Sequence, residues 1–253
     1  MRIGIAGFGR MGELIRNKAI ACGHEVGAVI DPFSKHEAVT ADEFSLDSLP
    51  LDVIIDFTIP EAVKNNIRLY GQLKVPAVIG TTGWYSDMAE VAEIVGKSGI
   101  GLIWSGNFSL GVNIFFSLVK KAGMIMNRFS QYDVMVHEYH HRHKADSPSG
   151  TAGMLGDILL STLDRKESIL DRTPSGAIKE TELHISSTRG GEIPGTHRVI
   201  FDSEEDSLII EHSARSRSGF VVGALMAAEW IKDRKGFYNL EDMIQSLIGG
   251  GDD

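Results

Sequence analysis

Hydrophobic and polar positions follow one rhythm over the first hundred residues and another after about residue 130. Short apolar runs at Arg2–Ala6, Glu25–Ile30, Leu51–Phe57, Val75–Ile79 and Gly99–Trp104 read as strands. Between them lie stretches of helical spacing: Glu13–Ala21, a helix opened by Thr58 with Pro60 and Glu61 that reaches about Gln72, and Asp87–Gly96. Strands separated by helices predict an α/β, doubly wound parallel sheet. Ile114–Met126 predicts a helix leaving that domain. Strands then follow without regular crossover helices, at Tyr132–His137, Thr181–Thr188, His197–Phe201 and Ser207–His212, divided by turns such as Arg189–Gly195. This predicts a second, α+β domain whose sheet is backed by the helices after Ile114 and Thr151, with Lys166–Lys179 as a polar loop. Gly219–Lys232 and Tyr238–Leu247 read as helices that return to pack on the first domain. Residues 1–106 with 219–253 are expected to form one domain and residues 107–218 the other.

The first turn of this pattern carries chemistry. Gly7-Phe8-Gly9-Arg10-Met11-Gly12 is a Gly-x-Gly-x-x-Gly sequence with a strand before it, a helix after it and an acid, Asp31, at the end of the next strand. Gly7 permits the tight turn, Gly9 leaves room for a pyrophosphate, and Gly12 lets helix and strand pack closely. Asp31, 19 residues beyond Gly12, is placed to accept hydrogen bonds from an adenosine ribose. The first domain is thus read as a Rossmann-like dinucleotide-binding unit. A carboxylate at Asp31 repels a 2′-phosphate and Pro32 adds no compensating charge, while Lys35 and Arg10 soften that repulsion; the reading is NADH preferred, with NADPH tolerated. Ligands of such sheets collect beyond the strands' carboxyl ends. Gly80, Thr81 and Thr82 fall there, as do Ser105, Gly106, Asn107 and Phe108, beside the expected nicotinamide end.

The second candidate is His137–Thr151, in which four histidines, an arginine and a lysine fall within eight residues. A half-buried strand precedes it, and a helix follows with Pro148 in its first turn and Asp146 or Ser147 as N-cap. A cationic loop leading into a helix N-terminus builds an anion pocket, because the first N–H groups of a helix have no intrahelical partner. Gly150 allows close approach, Thr151 adds a hydroxyl, and Lys144 with one or two histidines supplies charge and a transferable proton. His137, Glu138 and His141 also match His-Glu-x-x-His, which raises a zinc hydrolase using His137 and His141. That chemistry needs both histidines on one helix face; in an extended segment they stand ~13 Å apart and share no zinc. No metal is expected.

Composition adds bounds. The formal charge of −9 argues against general nucleic-acid or membrane-surface binding. Cys22 is the sole cysteine, expected as a small buried residue, so neither an intrachain disulfide nor a cysteine-rich metal site forms. No apolar run approaches the ~20 residues of a membrane span. The chain starts directly in a strand with no signal peptide, so the expected location is cytoplasmic.

Gly7–Gly12, Asp56-Phe57-Thr58, Gly80-Thr81-Thr82-Gly83, Asn107–Asn113 and His140–Ala152, in that order, resemble the 4-hydroxy-tetrahydrodipicolinate (dihydrodipicolinate) reductase family of bacterial lysine and diaminopimelate biosynthesis. The resemblance spans nearly the whole chain, and its last block is highly specific. It implies NAD(P)H-dependent reduction of a small dicarboxylate ring, with His140 as catalytic acid/base and Lys144 as proton donor. His141, Gly150 and Thr151 would bind the substrate carboxylates, and the glycine loop, Asp31, Gly80–Thr82 and Ser105–Phe108 would hold the cofactor. It also implies a homotetramer built through the second domain's sheet. This chain departs from the family pattern in carrying Tyr139 where alanine is usual, in a first glycine loop one residue shorter than in some members, and in Pro32 where dual-cofactor members have arginine. The nearest rival is another two-domain NAD(P)-dependent dehydrogenase, acting on an amino-acid semialdehyde. A non-catalytic nucleotide-sensing module leaves the cationic loop unexplained.

Overall fold

A computed structural model of the chain describes residues 1–31 and 50–249. Pro32 and Lys35, weighed above for cofactor choice, lie outside the described residues. The chain divides into two compact units, Met1–Leu110 with Ser218–Asp253, and Gly111–Arg217.

The elements of the first part are β1 (Arg2–Ala6), α1 (Arg10–Ala21), β2 (Glu25–Ile30), β3 (Val53–Asp56), α2 (Pro60–Leu73), β4 (Ala77–Ile79), α3 (Met88–Ser98) and β5 (Gly101–Trp104). Then follow α4 (Leu110–Met126), β6 (Asp133–His140), α5 (Gly150–Thr162), β7 (Ser168–Leu170), β8 (Glu182–Arg189), β9 (Thr196–Asp202) and β10 (Ser207–Ser213). The chain closes with α6 (Ser218–Ile231), β11 (Gly236–Asn239) and α7 (Leu240–Gly249).

In the first unit six strands form a parallel sheet in the order β2-β1-β3-β4-β5-β11. Strand alternation sorts its side chains between two helical layers. Ile3, Ile5, Val53, Ile55, Val78 and Ile103 pack on one face with Ile15 and Ala19 of α1 and Ala224, Ala227 and Ile231 of α6. Ile54, Ala77, Ile79 and Leu102 pack on the other with Val63 and Ile67 of α2 and Val91 and Val95 of α3. The strand order reverses beside β1, between β2 and β3, which opens a crevice at the strands' carboxyl ends. α6 presses hard on the loop after β5: a Cβ on Gly223 would stand 1.7 Å from the Phe108 carbonyl oxygen.

The second unit holds a five-stranded mixed sheet, β10-β9-β6-β8-β7, with β6 central, parallel to β8 and antiparallel to β9. Val134 and Val136 of β6 meet Leu183, Ile185, Val199 and Phe201, covered by Phe115 and Val119 of α4 and Leu155 and Leu159 of α5. The same face of β6 ends in Glu138 and His140, both buried.

Four readings are corrected. Tyr238 and Asn239 belong to an edge strand pairing with Ile103 and Trp104 rather than to a helix, because four residues at a sheet edge carry too short a period to show. The polar loop Lys166–Lys179 contains β7, a three-residue edge strand. Cys22 is exposed, since it caps the C-terminus of α1 before Gly23 turns the chain at φ 80°. The helix after the cationic loop begins at Gly150 with Ser149 as its cap, and Pro148 stands before it. Among the described residues no helix is long and apolar enough to cross a membrane.

Candidate active site

In the first unit the glycine loop is fixed by its backbone. Gly7 has φ 83° and donates its N–H to the Ile30 carbonyl at 2.8 Å, and its missing Cβ would fall 2.3 Å from the Phe57 carbonyl oxygen. A Cβ on Gly12 would fall 2.1 Å from the Gly7 carbonyl oxygen, so the first turn of α1 sits directly against the loop. Gly9 caps α1, and among the described residues no packed neighbour comes within 4 Å of where its Cβ would stand, leaving space for a ligand at the helix N-terminus. Asp31 has a structural duty as well: its Oδ2 accepts the Phe8 N–H at 2.7 Å.

The neighbouring loops are tied by Asp56, fully buried at the end of β3. Its Oδ1 accepts from the Thr58 N–H at 2.9 Å and the Thr58 hydroxyl at 2.7 Å, with the Thr81 hydroxyl at 3.4 Å. Its Oδ2 accepts from Asn66 at 2.9 Å and from the Tyr70 hydroxyl at 2.8 Å. Burial, followed by the Asp56 charge, pushes the Tyr70 phenol well above its ordinary pKa, so the hydroxyl remains the donor. The loop after β5 turns on Asn107, whose Oδ1 accepts the Ser109 N–H at 2.8 Å while Ser105 Oγ accepts the Asn107 N–H at 3.1 Å. Gly9, Arg10, Thr82 and Gly106 are exposed and Met11 half-buried, whereas Phe8, Thr81 and Phe108 turn their side chains into the core.

In the second unit the centre is Glu138, fully buried. Its Oε1 accepts from the Ser149 N–H at 3.0 Å, the Ser187 hydroxyl at 2.7 Å and Arg189 Nη2 at 2.8 Å. Its Oε2 faces His140 Nδ1 and His197 Nε2, each 3.4 Å away. Burial alone would raise the Glu138 carboxyl, but hydrogen bonds from His197, Ser149, Arg189 and Ser187 outweigh it and hold the pKa well below the carboxylate range. Burial pushes His140 down to about 4; Glu138 opposes that, and His197, Lys144 and Arg189 add to it. Arg189 Nη2 also donates to the Asp146 carbonyl at 2.7 Å, and both Asp146 carboxylate oxygens accept from Lys144 Nζ, at 2.8 and 2.9 Å. Hydrogen bonds and close polar contacts therefore run from Lys144 through Asp146, Arg189 and Glu138 to His140. Ser149 joins it to the helix: its hydroxyl accepts the Ala152 N–H at 3.2 Å and lies 3.1 Å from His197 Nε2. His141, Gly150 and Thr151 lie at the two edges of this cluster, His141 just past β6 and the others opening α5.

Glu138, His140 and His197 bring one potential ligand atom each within 4.8 Å of one another. Their surroundings suit a proton better than a cation, because Arg189 already binds Glu138, and Arg189 and Lys144 both lower His140. His137 belongs to a different surface. On β6 it alternates with Glu138, pairs with Ser186 and sets its ring edge against Tyr139, so the His-Glu-x-x-His pattern lies on a strand and does not converge.

The family model for the N-terminus of dihydrodipicolinate reductase matches residues 1–108, and that for its C-terminus matches residues 111–244. The chain belongs to the dihydrodipicolinate reductase family. It is 36% identical over 248 residues to the 4-hydroxy-tetrahydrodipicolinate reductase of Christiangramia forsetii, covering 98% of this chain and 99% of the relative. Against the 4-hydroxy-tetrahydrodipicolinate reductase of Archaeoglobus fulgidus it is 36% identical over 262 residues, covering 97% and 100%. The fold matches a dipicolinate-bound dihydrodipicolinate reductase from Paenisporosarcina sp. TG-14 with a TM-score of 0.79 at 24% identity, over 96% of this chain and 99% of that one.

Within this reductase family member, sequence reasoning missed Glu138 as more than part of a zinc decoy, and missed Arg189, His197 and Ser149 altogether. The strand alternation that buries Val134 and Val136 also buries 138 and 140, so the signal for Glu138 was present in the period. Arg189 and His197 come from β8 and β9, and nothing local in sequence links them to the loop.

The His140 environment makes stability depend on pH. The folded protein keeps this imidazole neutral down to about pH 4, while an unfolded chain protonates it near its ordinary 6.5. The unfolded state then binds more protons through that window, so stability falls as pH drops from about 6.5 to about 4. Glu138, depressed in the fold, adds a loss below about 4.5. At about 1.4 kcal/mol per unit, the His140 contribution is roughly 1–3 kcal/mol. Urea unfolding at about pH 7.5 and about pH 5 measures it, and His140→Gln should flatten the difference. An unchanged slope in that variant would assign the loss to other groups.

Proposed function

We propose that this chain catalyses the NAD(P)H-dependent reduction of 4-hydroxy-tetrahydrodipicolinate, via dihydrodipicolinate, to tetrahydrodipicolinate in lysine and diaminopimelate biosynthesis. The observation that carries the reading is the connected Lys144–His140 cluster at the N-terminus of α5, in a chain that both family models match. The glycine cradle fits a dinucleotide: the space beside Gly9 and the first N–H groups of α1 suit a pyrophosphate. Gly7, Phe8, Gly9, Arg10, Met11 and Gly12 would hold the dinucleotide with Asp31, Gly80, Thr81, Thr82, Ser105, Gly106, Asn107 and Phe108. When bound, the nicotinamide supplies a hydride.

The chain's own residues bind and protonate the substrate. His141, Gly150 and Thr151 take its carboxylates, using imidazole, backbone N–H and hydroxyl donors. Lys144 delivers the proton as negative charge develops on the ring, and Asp146 aims its Nζ. His140 is neutral at physiological pH and acts as the acid/base partner whose free ring nitrogen exchanges a proton at the site. The reading includes a cytoplasmic homotetramer assembled through the second unit's sheet, where Leu208 and Ile209 are exposed; light scattering after size-exclusion chromatography tests the assembly.

The decisive assay is NADH oxidation with substrate made in situ from pyruvate and aspartate semialdehyde by the preceding enzyme. Consumption of NADH or NADPH no faster than in the enzyme-free control overturns the reading. NADH is the proposed preference, resting on the Asp31 carboxylate. Asp31→Ala should raise the NADH KM by roughly 10- to 150-fold, since a charged hydrogen bond to ligand is worth about 1.5–3 kcal/mol, and it also removes the Asp31 carboxylate from the Phe8 N–H. The NADPH KM should rise less, and a cofactor ratio identical to the parent would refute the ribose assignment.

A further inference from the structure

Glu138 is ionised, buried and asymmetric in its bonding. Three donors converge on Oε1, while Oε2 is left to the two imidazoles. Neither Oε2 nor His140 Nδ1 has another hydrogen-bond partner among the described residues. A carboxylate can only accept, so a neutral imidazole facing it must present an N–H. On the opposite side of the ring, a Cβ on Gly195 would stand 2.9 Å from His140 Nε2, so this glycine keeps clear the space over that nitrogen. The charged and titratable groups around the pair are Arg189 on β8, His197 on β9 and Lys144 in the loop after β6, with the Ser149 N–H arriving from the start of α5.

We infer that Glu138 is the positioning residue of the site, holding His140 in the tautomer with the proton on Nδ1 and the lone pair on Nε2, so that Nε2 exchanges the proton of the reaction. A buried carboxylate that fixes the tautomer and orientation of an imidazole is a general device for making a histidine work in one direction. Arg189 gives the device its second function. By binding both Glu138 and the Asp146 carbonyl, it sets the imidazole and the Lys144 ammonium in one frame. The catalytic part of this inference rests on the reductase reading above; the tautomer part does not.

The test uses Glu138→Gln. The three donors at Oε1 require an acceptor there, so the new amide must put its oxygen at Oε1 and its NH2 at Oε2. Two donors would then face the histidines, and His140 must move its proton to Nε2. Nitrogen-15 NMR of histidine-labelled protein reads this directly, with the His140 signal assigned by its loss in His140→Gln. The wild-type protein at neutral pH should show the Nδ1–H tautomer and Glu138→Gln the Nε2–H tautomer. In turnover, Glu138→Gln should lose about 10²–10⁴-fold in kcat with little change in the KM for substrate. Lys144→Ala should lose turnover while leaving the His140 tautomer as in wild type. A wild-type protein with the proton on Nε2 overturns the inference even if no variant folds, and so does a Glu138→Gln protein that keeps full kcat. If the wild type turns over no dicarboxylate at all, the reductase reading fails, while the NMR result still decides whether Glu138 sets the tautomer.

Discussion

Lys144→Ala is expected to lower kcat by roughly 10²–10⁴ and leave cofactor affinity nearly unchanged. Lys144 is the cation at the open edge of the cluster, with its side chain 21% exposed and both Asp146 oxygens on its Nζ. A partly exposed pair of this kind contributes only about 0–1 kcal/mol to the fold, so the melting temperature should barely move. The loss is therefore chemical. Lys144→Arg should not rescue it, because a guanidinium keeps its charge and does not release a proton at working pH. Steady-state kinetics of both variants, with calorimetric melts alongside, check the expectation. Near-full turnover in Lys144→Ala would take this residue out of the mechanism.

Gly7→Ala is the second large effect, and it acts on the fold and the cofactor together. A left-handed backbone costs an alanine about 1–2 kcal/mol, and here the new Cβ also meets the Phe57 carbonyl oxygen at 2.3 Å. The obstacle is backbone, so no rotamer change relieves it; the loop after β3 must shift, for about 3 kcal/mol or more in all. Asp56 transmits that shift to Thr58 and Thr81. Gly9→Ala provides the contrast. Its Cβ meets no packed neighbour among the described residues within 4 Å, so the apo melting temperature should hold, while NADH binding should fall by at least about tenfold if the proposed pyrophosphate occupies that space. Melts with and without NADH separate the two. Equal apo stability of Gly7→Ala and wild type would contradict the packing argument, and unimpaired NADH stabilisation of Gly9→Ala would remove the pyrophosphate from that space.

What the sequence reveals follows what is local. Strand–glycine loop–helix is read from a dozen contiguous residues because its constraints, a tight turn and a close helix, are contiguous too. Strands β1 to β5 are legible for the same reason, since α1, α2 and α3 lie next to them in the chain, whereas β11 joins the sheet only after the second unit and is not. The second unit is less so. Its sheet order places β6 between β8 and β9, and no short-range pattern encodes that choice. Hence His140 and Lys144 stand out from one short stretch of sequence, while His197 and Arg189, which meet the same Glu138 carboxylate, arrive from 57 and 49 positions beyond His140. The N-cap falls on Ser149 rather than on Asp146 or Ser147 for a related reason. Asp146 and Ser147 are good caps by residue type, but Asp146 is engaged by Lys144 and Ser149 is held from behind by Glu138.

Ser149 places a limit on how this lineage can vary in length. Its N–H is anchored to Glu138, eleven positions earlier, and its hydroxyl starts α5 beside His197. A single inserted or deleted residue between those anchors would rotate the helix start away from the carboxylate. The hairpin between β9 and β10, by contrast, closes on Ser203 and Asp206 and, among the described residues, bonds to none of the site. Gains and losses of residues among relatives should accumulate at such hairpins and be rejected between Glu138 and Ser149.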